Sequence, residues 1–417
     1  MNWGKVDLYK ISSVESGNSA PQKKEYFIEG NLPFFRTSDV ANKHITNDLI
    51  ESRDFLNIRA IEDLNMKLFL KNTILFPKSG ASTFLNHRAM MGIDGYVASH
   101  LSAIVPNVKL IIPSYLFYYL CTIKAEHITN SNDYPSLRLT DIEKINIPIP
   151  SLSEQKKIVE ILEQADELRK KKKEVIEKSE KIITSLFYKM FGDPLRNEKG
   201  WKKIKLKDIA TINPSKKNID KDLEVSFIPM NAIDEKIGRI KKYEVRKYES
   251  VKQGFTYFEE NDVLFAKITP CMENGKATIA KNLKNKIGFG STEFHVLRAN
   301  DLSTPEFLFS LIRLPIFQNI AKTNFTGTAG QQRVPTSFVE NFEIILPDIE
   351  LQKSFSRQLT EINEILVKNE ENNLIIDNLF QNILYRAFTG ELTSIWREKN
   401  KEQLKAEIAD RKLTYGF

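Results

Sequence analysis

The chain carries one segment twice, and this internal repeat constrains its fold more than any other feature of the sequence. Residues 144–158 read KINIPIPSLSEQKKI, and residues 341–355 read NFEIILPDIELQKSF. A shift of 197 positions, from Pro150 to Pro347, aligns the two copies. Each copy is an apolar, strand-like run that ends at proline and is followed by about ten turns of candidate helix. The same shift superimposes Gln155 on Gln352, Lys156 on Lys353, Leu162 on Leu359, Tyr188 on Tyr385 and Phe191 on Phe388.

The regions that precede the two copies share a plan. Residues 3–11 and 201–209 have Trp and apolar residues at matching spacing, and residues 71–76 match 260–265 in the same way. Short β-like runs are mixed with amphipathic stretches such as 114–123. We predict an α+β fold with two globular mixed α/β domains, two long helices and a pseudo-twofold internal repeat. The predicted segments are 1–150 and 193–346 (globular domains), 151–192 and 347–391 (spacer helices) and 392–417 (tail).

Heptad spacing along both helices predicts a coiled coil. Counting from Ile158 and Phe355 places apolar residues at the outer a and d positions, including Leu168, Ile365 and Leu379 at d. The a and d positions form the seam of each helix, and those at the middle of the helix are polar. We expect an antiparallel pair, because a parallel pair would make each globular domain return over the full helix length.

In that antiparallel register the middles of the two helices coincide and carry opposite charges. Lys170 is expected opposite Glu371, and Lys171 opposite Glu370. The alternative is that these lysines form a solvated face without specific partners. The predicted register residues are Lys170, Lys171, Lys172, Asn369, Glu370 and Glu371.

The charge distribution favours a polyanionic partner. The chain has a net charge of +7, and residues 201–300 alone contain 20 Lys and Arg against 13 Asp and Glu. A local basic surplus binds nucleic acid through its phosphates. The alternative is an ordinary solvated, lysine-rich surface.

The sequence contains no apolar run near the ~20 residues that cross a membrane. The start, MNWGKVDLYK, lacks the apolar core of a secretory signal. Cys121 and Cys271 lie far apart, which predicts two free thiols in a reducing compartment. We therefore expect a cytoplasmic protein with no membrane partner.

Patterns typical of catalysis are missing from the sequence. There is no Pro-Pro for the [DNS]PP[YFW] loop of a DNA amino-methyltransferase, and residues 275–278 (GKAT) lack the remaining P-loop residues. The five histidines show no i,i+4 ligand spacing. We predict a chain without catalytic residues, metal or cofactor.

Several motifs together resemble type I restriction-modification specificity subunits. They are the repeated strand–Pro–Leu/Ile-x-x-Gln-Lys–helix pattern, Trp201 followed by Asp208-Ile-Ala210, Gly290-Ser-Thr-Glu-Phe294, Gly327-Thr-Ala-Gly-Gln-Gln-Arg333, and Gly390-Glu-Leu-Thr-x-x-Trp396-Arg397. In the first half, Val97-Ala-Ser-His-Leu101 stands where Gly290–Phe294 stands, and residues 130–138 replace the element that ends at Arg333.

The resemblance implies that the globular domains are target recognition domains, each of which reads one half of a bipartite double-stranded DNA target. The helix pair would set the gap and dock two modification (methyltransferase) subunits, which restriction (translocase-nuclease) subunits join. Two alternatives stay open. One is a coiled-coil scaffold whose globular domains bind protein, and the other is an enzyme with unrecognised catalytic residues.

Candidate DNA contacts follow from side-chain chemistry. Gln can read adenine and Arg guanine through paired hydrogen bonds, which points to Gln331, Gln332 and Arg333 as base readers. Alternatively, these three residues brace their loop. Phosphate contacts are predicted for Lys267, Thr269, Asn274 and Lys276. The corresponding candidates in the first half are Lys78, Ser79, His87, Arg88 and Arg138.

Overall fold

A computed structural model describes residues 3–42, 46–80, 83–128, 136–328 and 331–415. Within helices and strands, the description leaves out the side chains of residues 42, 46, 172–173, 175–180, 370–374 and 413–415. The chain divides into two compact units, of which unit 1 comprises residues 1–170 with 375–417, and unit 2 comprises residues 171–374.

The first half of the chain begins with ten short strands and four short helices and ends in one long helix. The strands are β1 (Lys5–Asp7), β2 (Ser12–Ser16), β3 (Leu32–Phe35), β4 (Thr46–Leu49), β5 (Asp54–Leu56), β6 (Ile74–Pro77), β7 (Ala89–Met91), β8 (Tyr96–Val97), β9 (Leu101–Pro106) and β10 (Asn146–Pro148). The helices are α1 (Thr37–Asn42), α2 (Ile58–Asp63), α3 (Pro113–Thr122), α4 (Leu139–Glu143) and α5 (Leu152–Phe191).

The second half has a similar order of elements and adds a helical tail. The strands are β11 (Lys202–Lys205), β12 (Ala210–Ile212), β13 (Glu224–Ile228), β14 (Glu244–Lys247), β15 (Thr256–Glu259), β16 (Val263–Ala266), β17 (Ala277–Ile279), β18 (Ile287–Gly290), β19 (Phe294–Ala299) and β20 (Glu343–Leu346). The helices are α6 (Leu206–Ile209), α7 (Pro305–Arg313), α8 (Pro315–Thr323), α9 (Thr336–Asn341), α10 (Ile349–Thr389), α11 (Ser394–Lys399) and α12 (Lys401–Tyr415).

Each unit has one central sheet built around a fully buried strand. In unit 1 the strand order is β2-β9-β6-β7-β4, and all four residues of β6 are buried. In unit 2 the order is β12-β19-β16-β17, and all four residues of β16 are buried. Apolar runs without alternation are expected at such positions, because both faces of the strand are covered. The runs noted at 71–76 and 260–265 therefore contain the first residues of the central strands.

Two further sheets complete each unit. Unit 1 has the order β5-β3-β8 with β3 and β8 parallel, and a two-stranded pair of β1 with β10. Unit 2 has the order β14-β13-β18-β15 with β13 and β18 parallel, and a pair of β11 with β20. The two units thus share a strand plan, and the fold is mixed α and β as predicted.

A buried glutamine explains the repeated Pro-x4-Gln spacing in unit 1. The Gln155 side chain is fully buried at the start of α5. Its Nε2 donates to the carbonyl of Pro150 (3.1 Å), and its Oε1 accepts from the backbone N–H of Ile112 (2.9 Å), which precedes α3. Buried amides need partners, because an unpaired one costs about 1–3 kcal/mol.

Gln352 makes the corresponding hydrogen bonds in unit 2. Its fully buried side chain donates to the carbonyls of Pro347 (2.9 Å) and Leu302 (3.1 Å) and accepts from the N–H of Thr304 (3.1 Å). Thr304 is the N-cap of α7. In both units the repeated glutamine ties a long helix to the start of a short one.

The long helices pack on each other within each unit. In unit 1, Ile158 and Leu162 of α5 share a core with Phe380 and Leu384 of α10. In unit 2, Phe187 and Phe191 of α5 approach the ring of Phe355 of α10, with centroids 5.9 and 5.1 Å apart. The two helices begin at Leu152 and Ile349, shortly after the prolines of the repeat.

Three of the predicted d positions are wrong. Leu168, Ile365 and Leu379 are about half exposed, at 49, 59 and 51%. Leu366 and Phe380, one residue after two of these positions, are buried instead. The apolar face is rotated because each helix also packs on its globular domain. Tyr118 of α3 contacts Phe380, and Phe307 of α7 contacts Phe187.

The charged register between the helix middles stays a prediction. Lys170 forms an ion pair with Asp166 (2.9 Å) and donates to Oδ1 of Asn47 (3.1 Å). Lys171 is exposed, and Asn369 is partly exposed. The side chains of the remaining register residues, Lys172, Glu370 and Glu371, lie outside the described part of the chain.

The tail belongs to unit 1, where a buried carboxylate holds it. Glu154, in the first turn of α5, is 3% exposed. It accepts from Trp3 Nε1 (3.1 Å), from Thr393 Oγ1 (2.7 Å) and from Arg397 Nε (2.7 Å). Arg411 of α12 adds a hydrogen bond to the carbonyl of Pro150 (2.8 Å). Both chain ends therefore contact the start of α5.

Among the helices that the structure describes, none combines the length and the apolar character that a membrane crossing requires.

Candidate nucleic-acid interface

Three segments meet at the end of β16 in unit 2. The N–H of Lys267 donates to the carbonyl of Glu293 (2.9 Å), and the N–H of Val334 donates to the carbonyl of Lys267 (2.9 Å). The N–H of Thr269 donates to the carbonyl of Gln332 (3.0 Å). This backbone frame brings together four of the predicted contact residues, namely Lys267, Thr269, Gln332 and Arg333.

Arg333 forms a two-point ion pair with Glu293. Its Nε and Nη2 each donate to one carboxylate oxygen at 2.8 Å, and its Nη1 donates to the carbonyl of Gln331 (2.8 Å). The hydrogen bonds from Arg333 lower the pKa of Glu293, and Lys267 adds to this effect. The pair joins the motif that contains Glu293 to the motif that ends at Arg333.

Glu293 is thus a residue of the candidate site that sequence reasoning missed. An acidic residue inside the Gly290–Phe294 motif was the available signal. Arg333 does brace its loop, as the alternative interpretation expects. Its side chain nevertheless remains 39% exposed, so bracing and DNA contact are compatible.

The other predicted residues of unit 2 lie nearby with different surroundings. Asn274 and Gln331 are exposed, and Thr269 donates its hydroxyl to Glu273. Lys276 is only 15% exposed and lies 3.8 Å from Glu235. Because little of its side chain is exposed, Lys276 is a weak phosphate-binding candidate.

His295 lies buried beneath the frame. Its Nε2 lies 2.8 Å from the carbonyl of Val334, which can only accept, so Nε2 carries the proton. Its Nδ1 then accepts from the side-chain amide of Asn213 (3.2 Å). Burial lowers the pKa of His295 to about 4. The ring is therefore neutral at pH 7 and supports the frame.

This burial predicts a pH-dependent stability. Because the folded pKa is below the usual value of 6.5, the unfolded chain binds the proton first as the pH falls. Between pH 7 and pH 5 we expect His295 to lower the free energy of unfolding by about 2 kcal/mol. Denaturant unfolding at both pH values measures this effect. In His295→Gln, which can keep both hydrogen bonds without titrating, that loss should disappear, and equal pH dependence in both proteins would contradict the prediction.

Unit 1 repeats two of the three backbone hydrogen bonds of this frame at the end of β6. The N–H of Lys78 donates to the carbonyl of His100 (3.0 Å), and the N–H of Leu137 donates to the carbonyl of Lys78 (2.7 Å). Ser79 forms a β-bridge with Ser136, and its Oγ lies 2.7 Å from Nδ1 of His100. The Nζ of Lys78 donates to Ser16 (3.0 Å), and partial burial lowers the pKa of Lys78.

Arg88 does not belong to a DNA-binding surface, and this prediction is corrected. Its side chain is fully buried, with the guanidinium 3.3 Å from the centre of the Phe76 ring. It donates to the carbonyls of His87 (2.7 Å) and Ile123 (3.3 Å). Burial lowers the pKa of Arg88 to about 9. The neighbouring His87 is partly buried, and burial also lowers its pKa.

Arg138 is exposed but is not the counterpart of Arg333. It is the N-cap of α4, whereas Ser136 occupies the bridge position that Arg333 has in unit 2. Arg138 therefore corresponds to Pro335, the N-cap of α9. Of the replaced element 130–138, residues 130–135 lie outside the described part of the chain.

No group of three or more His, Cys, Asp or Glu side chains in the described ranges is placed to hold a metal ion.

The family model described as type I restriction modification DNA specificity domain matches the chain twice, over residues 1–178 and 198–375. The chain belongs to this family.

Relatives with assigned names support this family membership. Over 212 residues the chain is 36% identical to the type I restriction enzyme EcoAI specificity subunit of Escherichia coli. This match covers 51% of the chain but 35% of that subunit, about a third of its length. The type I restriction enzyme MjaIX specificity subunit of Methanocaldococcus jannaschii is 23% identical over 94% of both chains.

The fold is also similar to a solved structure. A chain from a study titled as the structural basis of complex assembly and conformational transition of the type I R-M system aligns with a TM-score of 0.50. The alignment covers 94% of this chain and 98% of that one at 17% identity, so it shows a similarity of fold alone.

Proposed function

We propose that the chain is the DNA sequence-specificity subunit of a type I restriction-modification complex. Residues 1–150 and 193–346 are its two target recognition domains, and each binds one half of a bipartite DNA target. The subunit does no chemistry itself. It directs methylation and restriction by the other subunits and needs no cofactor.

The observation that carries this proposal is the duplicated frame. In each unit the central strand is followed directly by a lysine, Lys78 or Lys267, that is fixed by the same two backbone hydrogen bonds. The side chains around the two lysines differ. A shared scaffold with different side chains at one place is what two readers of different half-sites require. The basic surplus of residues 201–300 supports phosphate contacts in the second reader.

The helices supply the other half of the proposal. We place α5 and α10 as an antiparallel coiled coil that sets the gap between half-sites. Exposed apolar side chains on them support a protein partner. In the described part of unit 1 these are Leu152, Leu168, Ile375, Leu379 and Tyr385, and in that of unit 2 they are Ile182 and Ile365. The partners we propose are two modification (methyltransferase) subunits, with restriction (translocase-nuclease) subunits joining them.

Methylome sequencing of the host tests the proposal. A bipartite modified motif should disappear when the gene for this chain is deleted and return when the gene is restored. A catalytically dead modification subunit serves as the control that abolishes the same motif. An unchanged methylome after deletion, with the complex otherwise expressed, would favour the protein-binding scaffold.

A further inference from the structure

The backbone frame is equivalent in the two units at five positions. Both lysines donate to the residue just before β9 or β19 and accept from the residue that follows the bridge partner. Ser79 pairs with Ser136 in unit 1, as Ile268 pairs with Arg333 in unit 2. The corresponding positions are Lys78 and Lys267, Ser79 and Ile268, His100 and Glu293, Ser136 and Arg333, and Leu137 and Val334.

The lysine of the frame is the same in both units. At the two neighbouring positions, unit 1 has His100 and Ser136, whereas unit 2 has Glu293 and Arg333. His100 and Ser136 are exposed, and the Glu293 and Arg333 side chains are 23 and 39% exposed.

The Glu293–Arg333 pair is not needed to build the frame. Unit 1 forms two of the same backbone hydrogen bonds and the same bridge with a histidine and a serine in those places. The side-chain contact there is a single hydrogen bond between Ser79 and His100 instead of an ion pair. The pair does fix the direction of a planar guanidinium whose five N–H groups match the acceptors of guanine or phosphate.

We propose that these two positions determine the sequence preference of each reader. In unit 2, Arg333 makes the DNA contact, and Glu293 is the positioning residue that holds its guanidinium. In unit 1, His100 and Ser136 present shorter groups that donate and accept hydrogen bonds at the same place. The inference rests on the proposed function, because it assigns residues within the two readers.

A variant in which Glu293 and Arg333 are exchanged distinguishes a positioning role of the pair from a structural one. Glu293→Arg combined with Arg333→Glu keeps an ion pair across the loop but moves the guanidinium to the other strand end. The complex is purified from its host through a tag on this chain and incubated with a pool of randomised duplexes. Sequencing of the bound duplexes then gives the two half-sites and their gap.

We expect the reversed variant to lose its preference at one or two base pairs of a single half-site, by about ten- to a hundredfold. The other half-site and the gap should stay unchanged. Glu293→Gln, a milder change, should weaken the same base pairs without altering the salt dependence of binding. As a control, Lys247→Asp with Asp222→Lys reverses an exposed ion pair of unit 2 (3.0 Å) and should leave both half-sites intact.

Two results would overturn the inference while the proposed function stands. If both half-sites are unchanged in the reversed variant, the pair is purely structural. If both half-sites are lost together, the exchange affects the whole subunit. If the reversed chain does not assemble, Glu293→Gln decides by the same criteria. Failure of the wild-type complex to enrich any bipartite sequence would instead count against the proposed function.

Discussion

Replacing Glu154 with alanine is expected to lower the free energy of unfolding of unit 1 by about 3–5 kcal/mol. Glu154 is the buried acceptor for Trp3, Thr393 and Arg397. Its removal leaves the guanidinium of Arg397, which is 16% exposed, without its carboxylate. An uncompensated charge in such a place costs far more than the loss of a surface ion pair.

Chemical denaturation followed by tryptophan fluorescence measures this effect, because Trp3 contacts Glu154 directly and Trp396 lies beside Arg397. Glu398→Ala is the matched control. It removes an exposed ion pair with Lys401 (3.0 Å) in the same tail and should cost less than about 1 kcal/mol. Equal losses in the two variants would mean that Glu154 does not hold the tail.

Exchanging the second globular domain for that of a relative is expected to replace one half-site completely. Specific DNA binding exceeds non-specific binding by about 10³- to 10⁷-fold, so a hybrid should abandon one half of its original target and keep the other. The sequence suggests residues 201–340 for the exchange. The ladder of β11 with β20 favours residues 206–341, because both strands then stay native.

The readout is the methylated motif of a host that expresses the hybrid in place of the wild-type chain. The reciprocal exchange within residues 1–150 is the control and should change only the other half-site. A hybrid in which both half-sites change together would contradict the assignment of one reader to each unit.

The sequence predicted the elements that repetition and periodicity encode. The long helices begin just after the prolines of the repeat, and the repeated glutamines lie in their first turns. The matching runs at 71–76 and 260–265 contain the first residues of the central strands. The repeat also contained information that the motif comparison missed. The shift of 197 positions takes Ser136 to Arg333 and Arg138 to Pro335, which is the correspondence in the structure.

The remaining errors come from tertiary packing, which a one-dimensional pattern does not encode. Arg88 looks like a surface cation in the sequence, but the chain folds it over Phe76. The d positions of the heptads suit a coiled coil, yet Leu379 is half exposed because Phe380 is the residue that meets Tyr118 of the globular domain. Glu293 gains its role only through the approach of a loop 40 residues away.

Unit 1 is built from two separate parts of the chain, and this affects the order in which the protein can fold during synthesis. Unit 2 is one continuous stretch of chain, whereas unit 1 needs residues 375–417 to finish a core that begins at the other end. Domains generally fold in the order in which they leave the ribosome. Here unit 1 must wait for residues that follow unit 2 in the chain. A stop codon near residue 390 would therefore damage unit 1 and leave the residues of unit 2 intact.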